Sequence, residues 1–248
     1  MRKLTPAQRL IVAADYQPKG SNGRASVKEQ VLRLADDLSG TGVYLKVNSA
    51  LRAEGYGLID EIHARGLRVF ADLKLFDIPA TLATDGALLR EAKPELLTTV
   101  CTAGVAAMEA LKAELPDTEV LGVTVLTSLT NVDTQAMFTC STEAAVMRCA
   151  QLAGYAKIDG LISSPKEAEA LRAKFGLLLS LNTPAVRPTF SIVPGDDQNP
   201  ERIMTPAKAI DAGADRIVVG RPITKPPQGM SSRDAAMRTI EEIASATT

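Results

Sequence analysis

The sequence predicts an α/β chain folded as a single-domain (β/α)8 TIM barrel over residues 1–248, and three observations predict it. Eight short apolar runs rich in β-formers recur along the 248 residues. Segments of helical periodicity lie between them, and the runs look apolar throughout instead of alternating, as strands covered on both sides do. A length of about 250 residues is also what eight strand-helix units of such a barrel occupy.

In chain order the runs are "RLIVAAD" (9–15), "GVYLKV" (42–47), "LRVFADLK" (67–74), "ELLTTV" (95–100), "VLGVTVL" (120–126), "IDGLIS" (158–163), "GLLLSL" (176–181) and "RIVVG" (216–220). Helical spacing is clearest in "SVKEQVLRLADDL" (26–38), "TEAAVMRCAQLAGYA" (142–156) and "SPKEAEALRAKFG" (164–176). The last opens on Ser164 as a cap, carries Glu167 three positions on, and closes on Gly176. A doubly wound open sheet is the alternative arrangement of alternating strands and helices. Its dinucleotide signature is missing, because "SGTG" (39–42) precedes a strand instead of following one, and there is no P-loop.

With 46% hydrophobic and 23% charged residues and a formal net charge of -1, the composition is that of a globular domain able to bury a substantial core. Lys and Arg are spread along the chain, and there are no Trp, five Phe and four Tyr, so neither a basic stripe nor a stacking platform for bases is present. Nucleic acid is therefore not expected as a partner. No stretch reaches the roughly 18 apolar residues of a membrane span and the start lacks a signal-like run, so the expectation is a cytoplasmic protein without membrane contact. Cys101, Cys140 and Cys149 form no CxxC and no metal-ligand spacing, which suits buried thiols in a reducing compartment and no disulfide.

Barrels of this class carry their chemistry at the C-terminal ends of the strands. There the sequence places Asp15, Lys46, Asp72 and Lys74. Asp72 and Lys74, two positions apart on a strand, share a face, and Asp77 follows in "ADLKLFDIPATL" (71–82). A structural ion pair would explain Asp72 and Lys74 alone, but not two further charges of alternating sign, since each buried ion costs several kcal/mol before pairing. The single histidine, His63, falls at the end of a helix in "LIDEIHARG" and reads as a solvated helix residue. Without His or Cys at a strand end, a metal held by imidazole or thiolate and a Ser-His-Asp triad are both unsupported, and proton transfer falls to Lys or a carboxylate.

After the eighth run, "GRPI" (220–223) offers the Gly220 amide and the Arg221 guanidinium where such barrels bind phosphate. The segment "NTPAVRPTFSIVPGDDQNPERIMTP" (182–206) contains five prolines and is long for a compact domain. It reads as a lid loop gripping phosphate over about 182–199, with Arg187 and Gln198 as its natural ligand contacts.

These motifs resemble the orotidine 5'-monophosphate decarboxylase family. "DLKLFDIPAT" matches its D-x-K-x-x-D-I-P-x-T pattern, and "TPAVRP", "DDQ", "RIMTP" and "GADRIVVGRPI" follow in the family's order, so the resemblance runs from Asp15 to Arg221. Related sugar-phosphate barrels share D-x-K-x-x-D but place a metal-binding glutamate at the end of strand 2, where this chain has Lys46. The resemblance implies decarboxylation of orotidine 5'-monophosphate to uridine 5'-monophosphate and CO2, the last step of de novo pyrimidine biosynthesis, with no cofactor, no metal and Lys74 protonating C6. It implies a charge network of Lys46, Asp72, Lys74 and Asp77 around the reacting carbon. Asp15 and Lys46 would hold the ribose, Thr127 the base, and Gln198, Arg187, Gly220 and Arg221 would complete the substrate site. It further implies a homodimer with shared sites, into which Asp77, Ile78 and Thr81 reach from the neighbouring subunit.

The chain departs from the family at three places. "VCTAG" (100–104) lacks a histidine common after strand 4, Asn48 stands where glycine is frequent, and Phe76 replaces a frequent histidine. Two other classes stay open on the residues alone: a Schiff-base aldolase, which would form an imine on its strand-end lysine, and a silent phosphate-binding barrel, which would have little reason to keep all four charges.

Overall fold

In a computed structural model, which describes residues 4–18, 20, 23–192 and 204–246, eight parallel strands close into a barrel. They are β1 (Leu10–Ala13), β2 (Tyr44–Val47), β3 (Arg68–Leu75), β4 (Leu96–Val100), β5 (Glu119–Val123), β6 (Gly160–Ile162), β7 (Ser180–Thr183) and β8 (Arg216–Val219). Each pairs with the next, and β8 returns to β1 with Ile11 opposite Val218. Closure leaves no free sheet edge.

The continuous apolar runs follow from burial on both faces. Leu10, Val12, Leu45, Val69, Leu97, Val120, Ile217 and Val219 point outward into a core shared with the helices. Ile11, Tyr44, Phe70, Leu96, Leu121 and Val218 point inward and fill the barrel itself. The inner filling ends at a charged floor. Arg216, 2% exposed, makes a two-pronged bond to Glu119 at 2.7 and 2.9 Å and lies 5.3 Å from the centre of the Tyr44 ring. Paired and stacked in this way the guanidinium remains charged despite burial.

Helices follow the strands as predicted. Gly23–Leu38 and Thr142–Tyr155 cover the periodic segments, and Ser141 caps the second by accepting from the Ala144 amide. At 164–176 the capping box forms as expected, with Ser164 bonded to the Lys166 amide and the Glu167 carboxylate returning to the Ser164 amide; a 3₁₀ turn Pro165–Glu167 then leads into the helix Ala168–Phe175. No described helix is long and apolar enough to cross a membrane.

The seventh strand departs from its predicted place. It begins at Ser180, so Leu177 and Leu178 of "GLLLSL" lie in a turn, 67% and 84% exposed. Gly176 adopts φ +57 at the end of the preceding helix, and the Arg172 guanidinium holds the turn by donating to the carbonyls of Gly176 (2.6 Å), Leu179 (3.2 Å) and Gly213 (2.7 Å). An apolar run alone does not reveal that its first residues are taken up by a helix stop. The fifth strand likewise ends at Val123 and not at residue 126, because its partner β6 is only three residues long.

Candidate active site

Four of the charges singled out in the sequence converge at the C-terminal ends of β1, β2 and β3. Lys46 Nζ lies 2.9 Å from both Asp15 oxygens and 3.1 Å from Asp72 Oδ2, and Lys74 Nζ lies 2.7 Å from the same Asp72 oxygen. Asp72 thus sits between two ammonium groups in an alternating row of Asp15, Lys46, Asp72 and Lys74. Burial alone would raise the Asp72 pKa, but the charges of Lys46 and Lys74, with hydrogen bonds from Lys74 and Thr98, outweigh it and hold the carboxyl below the usual range.

The route that brings Lys74 into the row is less regular than strand alternation. The pairing of β3 with β4 jumps from Ala71 opposite Leu97 to Leu75 opposite Thr99, and Lys74 adopts a left-handed backbone with φ +49. Such a conformation is costly for a residue with a Cβ and persists only where the surroundings hold it. Here three bonds hold it. Arg52 donates to the Leu73 carbonyl (2.6 Å), the Lys74 amide donates to Thr98 Oγ1 (2.9 Å), and Thr99 Oγ1 donates to the Leu75 carbonyl (2.9 Å). Thr98 Oγ1 also donates to Asp72 Oδ1 at 2.9 Å.

The row forms one wall of a cavity of about 320 Å³, within the size range of small-molecule sites. Thr127 and Gly220 also line it, and the remaining wall is apolar, with Val123, Val125, Leu126, Ile162 and Pro184. Ser163, which no sequence feature singled out, borders the same cavity; its hydroxyl is buried and has no hydrogen-bond partner among the described residues. A second cavity of equal volume opens at the opposite, N-terminal end of the barrel. Two of its cations are held in ion pairs, Lys112 with Asp159 (2.9 Å) and Arg216 with Glu119 (2.7 Å), and none of the residues singled out in the sequence lines it.

Among the described residues, the other predicted positions do not line the cavity of the single chain. Asp77 and Ile78 are exposed, Thr81 is half-buried, and among the described residues Asp77 Oδ1 accepts from the Ile78 amide at 2.7 Å, outside the ion-pair row. Phe76 and Ile78 are 63% and 65% exposed, an apolar surface beside Asp77. Arg221 is exposed in the short helix Arg221–Thr224 that Gly220 precedes. Arg187 is half-buried, with its amide bonded to the Met204 carbonyl at 2.9 Å. Gln198 lies outside the described residues. The predicted lid is described as far as Ile192, where Thr189 is tied to Glu242 by its amide (3.0 Å) and its hydroxyl (2.7 Å).

His63 ends the helix Gly57–His63, as read, but is paired instead of merely solvated. Its Nε2 lies 3.2 Å from Glu95 Oε2, which also accepts from the Val69 amide at 2.7 Å. Burial pushes the Glu95 carboxyl up, and the bonds to His63 and Val69 more than offset it and hold it low. This tie anchors the start of β3 far from the cavity. Among the described residues no group of three or more His, Cys, Asp and Glu could hold a metal ion.

The chain is similar to known proteins over most of its length. Residues 8–232 match the Orotidine 5'-phosphate decarboxylase / HUMPS family. A protein of Saccharophagus degradans named orotidine 5'-phosphate decarboxylase is 34% identical over 245 residues, covering 96% of this chain and 94% of its own. One of the same name from Parasynechococcus marenigrum is 40% identical over 234 residues, covering 89% of each. The crystal structure of orotidine 5'-phosphate decarboxylase from Lactobacillus acidophilus shares the fold with a TM-score of 0.76 at 24% identity, over 95% of this chain and 99% of that one.

Proposed function

This chain belongs to the Orotidine 5'-phosphate decarboxylase / HUMPS family, and from that premise we propose that it decarboxylates orotidine 5'-monophosphate without a cofactor, with Lys74 as the proton donor to C6. With relatives of that name over most of its length, the chain is a carboxy-lyase of pyrimidine biosynthesis. The observation that carries the finer reading is the Asp72 carboxylate held between the ammonium groups of Lys46 and Lys74 at the cavity wall.

In this reaction the bond from C6 to the carboxylate breaks, CO2 leaves, and the electron pair stays on C6 in an sp² orbital with no neighbouring group to delocalise it. The barrier then falls through fixed charge: the Lys74 ammonium stabilises the developing carbanion and transfers its proton to C6, leaving a neutral amine that solvent reprotonates. Asp72 aims that ammonium through its 2.7 Å bond, and its own charge beside the substrate carboxylate disfavours the bound ground state as a secondary effect. The apolar wall suits a flat pyrimidine. Asp15 and Lys46 are assigned to the ribose hydroxyls, Thr127 to the base, and Arg187, Gln198, Gly220 and Arg221 to the far side of the base and the phosphate.

The test is the ultraviolet absorbance change of orotidine 5'-monophosphate with purified protein and excess chelator. Conversion to uridine 5'-monophosphate that survives chelation is the expected result. No conversion by well-folded protein would reject the reading and turn attention to sugar-phosphate substrates with magnesium.

The working unit in this reading is a homodimer in which Asp77, Ile78 and Thr81 complete the neighbour's site. The exposure of Phe76 and Ile78 beside an Asp77 that takes no part in its own chain's ion-pair row supports it. Mixing inactive Lys74→Ala with inactive Asp77→Ala should then recover about a quarter of wild-type activity after full exchange, since half of the dimers are hybrids with one intact site. Absence of recovery after demonstrated subunit exchange would place Asp77 in its own subunit's chemistry or in none.

A further inference from the structure

The geometry points to Thr98 as a positioning residue for the reaction, a single hydroxyl that fixes the Asp72 carboxylate and the Lys74 backbone against each other. Nothing in the motifs marks it, since it lies in the apolar run of β4. It is fully buried, so its two bonds do not compete with solvent. The hydroxyl donates to Asp72 Oδ1 at 2.9 Å and accepts from the Lys74 amide at 2.9 Å, which saturates its donor and uses one acceptor site.

The consequence lies in what each bond controls. Asp72 has two oxygens: Oδ2 takes both ammonium groups, at 3.1 Å from Lys46 and 2.7 Å from Lys74, while Oδ1 takes only Thr98 among the bonds described. Without the hydroxyl the carboxylate can rotate and divide its oxygens between the two lysines. The amide bond acts at the left-handed Lys74, where β3 leaves register with β4. Arg52 and Thr99 hold the neighbouring carbonyls of Leu73 and Leu75, but Thr98 alone reaches both Lys74 and Asp72. The groups facing Asp72 are Lys46 from β2, Lys74 from its own strand and Thr98 from β4, with Asp15 across the Lys46 ammonium.

This inference rests on the reading of Lys74 as proton donor, so its test has two readouts. Thr98→Val, which keeps shape and removes the hydroxyl, should lower kcat about tenfold to a hundredfold, the scale of a small misplacement of a reacting group, while KM changes less than about threefold. The Asp72 carboxyl, followed by carbon-13 NMR titration, should titrate at higher pH in Thr98→Val because one bond to its charged form is gone. Thr98→Ser should restore both. Unchanged kcat and an unchanged titration in a folded Thr98→Val protein would overturn the proposal, as would Thr98→Ser being as slow as Thr98→Val. If wild type shows no decarboxylation, that reading fails by itself, and the titration alone decides whether Thr98 controls Asp72. Should Thr98→Val not fold, Thr98→Ala carries the same comparison; failure of both to fold would assign Thr98 to the scaffold and overturn its positioning role.

Discussion

Lys74→Ala loses conversion of orotidine 5'-monophosphate by about 10⁴-fold in kcat, with substrate binding affected far less. The figure combines loss of a positioned general acid, about 10² to 10⁴, with loss of a charge aimed at the developing carbanion, about 10² to 10³; the two are one group, so they do not multiply fully. The ammonium is placed for this by its 2.7 Å bond to Asp72 and by a backbone conformation that Thr98 braces. Single-turnover kinetics with the same absorbance assay would check it. A Lys74→Ala protein within about tenfold of wild type would remove Lys74 from the proton step. Retention of activity by Lys74→Arg would argue for a charge requirement without proton transfer, because a guanidinium does not give up its proton at neutral pH.

Asp72→Ala destabilises the fold by about 3 kcal/mol at neutral pH, the lower end for removal of one partner from a buried ion pair. Asp72 is 6% exposed and Lys46 7%, so two ammonium groups would face each other with little water between them. The effect stays at the lower end because Lys46 keeps Asp15 at 2.9 Å, and the Lys74 side chain is 30% exposed. Its pH dependence has a definite sign. The folded carboxyl titrates below its ordinary value, so its stabilisation is complete above the unfolded value of about 3.9 and is lost as pH falls through the lower folded value. Denaturant unfolding of wild type and Asp72→Ala should show a gap that is constant at neutral pH and closes at the acid end. A gap that persists undiminished to the lowest pH at which both proteins fold would mean that the loss came from packing and not from charge.

The sequence made the barrel legible because its strands are buried on two sides and so appear as unbroken apolar runs between helical periods. Asp15, Lys46, Asp72 and Lys74 stood out for the same reason: charges at the ends of such runs have no apolar explanation. Thr98 and Ser163 did not, since a hydroxyl in or beside a strand is ordinary, and its partner depends on the register of a neighbouring strand. The bulge at Lys74 and the buried Arg216–Glu119 pair were equally hidden, because 97 residues separate the members of that pair and only closure of the barrel brings them together. Leu177 and Leu178 misled in the other direction, as apolar residues left in a turn. Asp77 and Ile78 are legible as motif residues but do not line the cavity of their own chain, because the turn after β3 carries them out to the surface.

The filled interior has a consequence for how the proposed reaction ends. Below the cavity, Ile11, Tyr44, Phe70, Leu96 and Leu121 pack the barrel at 0–5% exposure, and Arg216 closes it beneath them. The vessel is therefore blind at one end: the gas released from C6 has no rear exit and must leave past the nucleotide or after it, through the entrance the substrate used. Departure of the two products is then a matter of traffic through one doorway, and the residues that widen or narrow it at the mouth, Leu126, Thr127 and Pro184 among them, govern escape as well as admission.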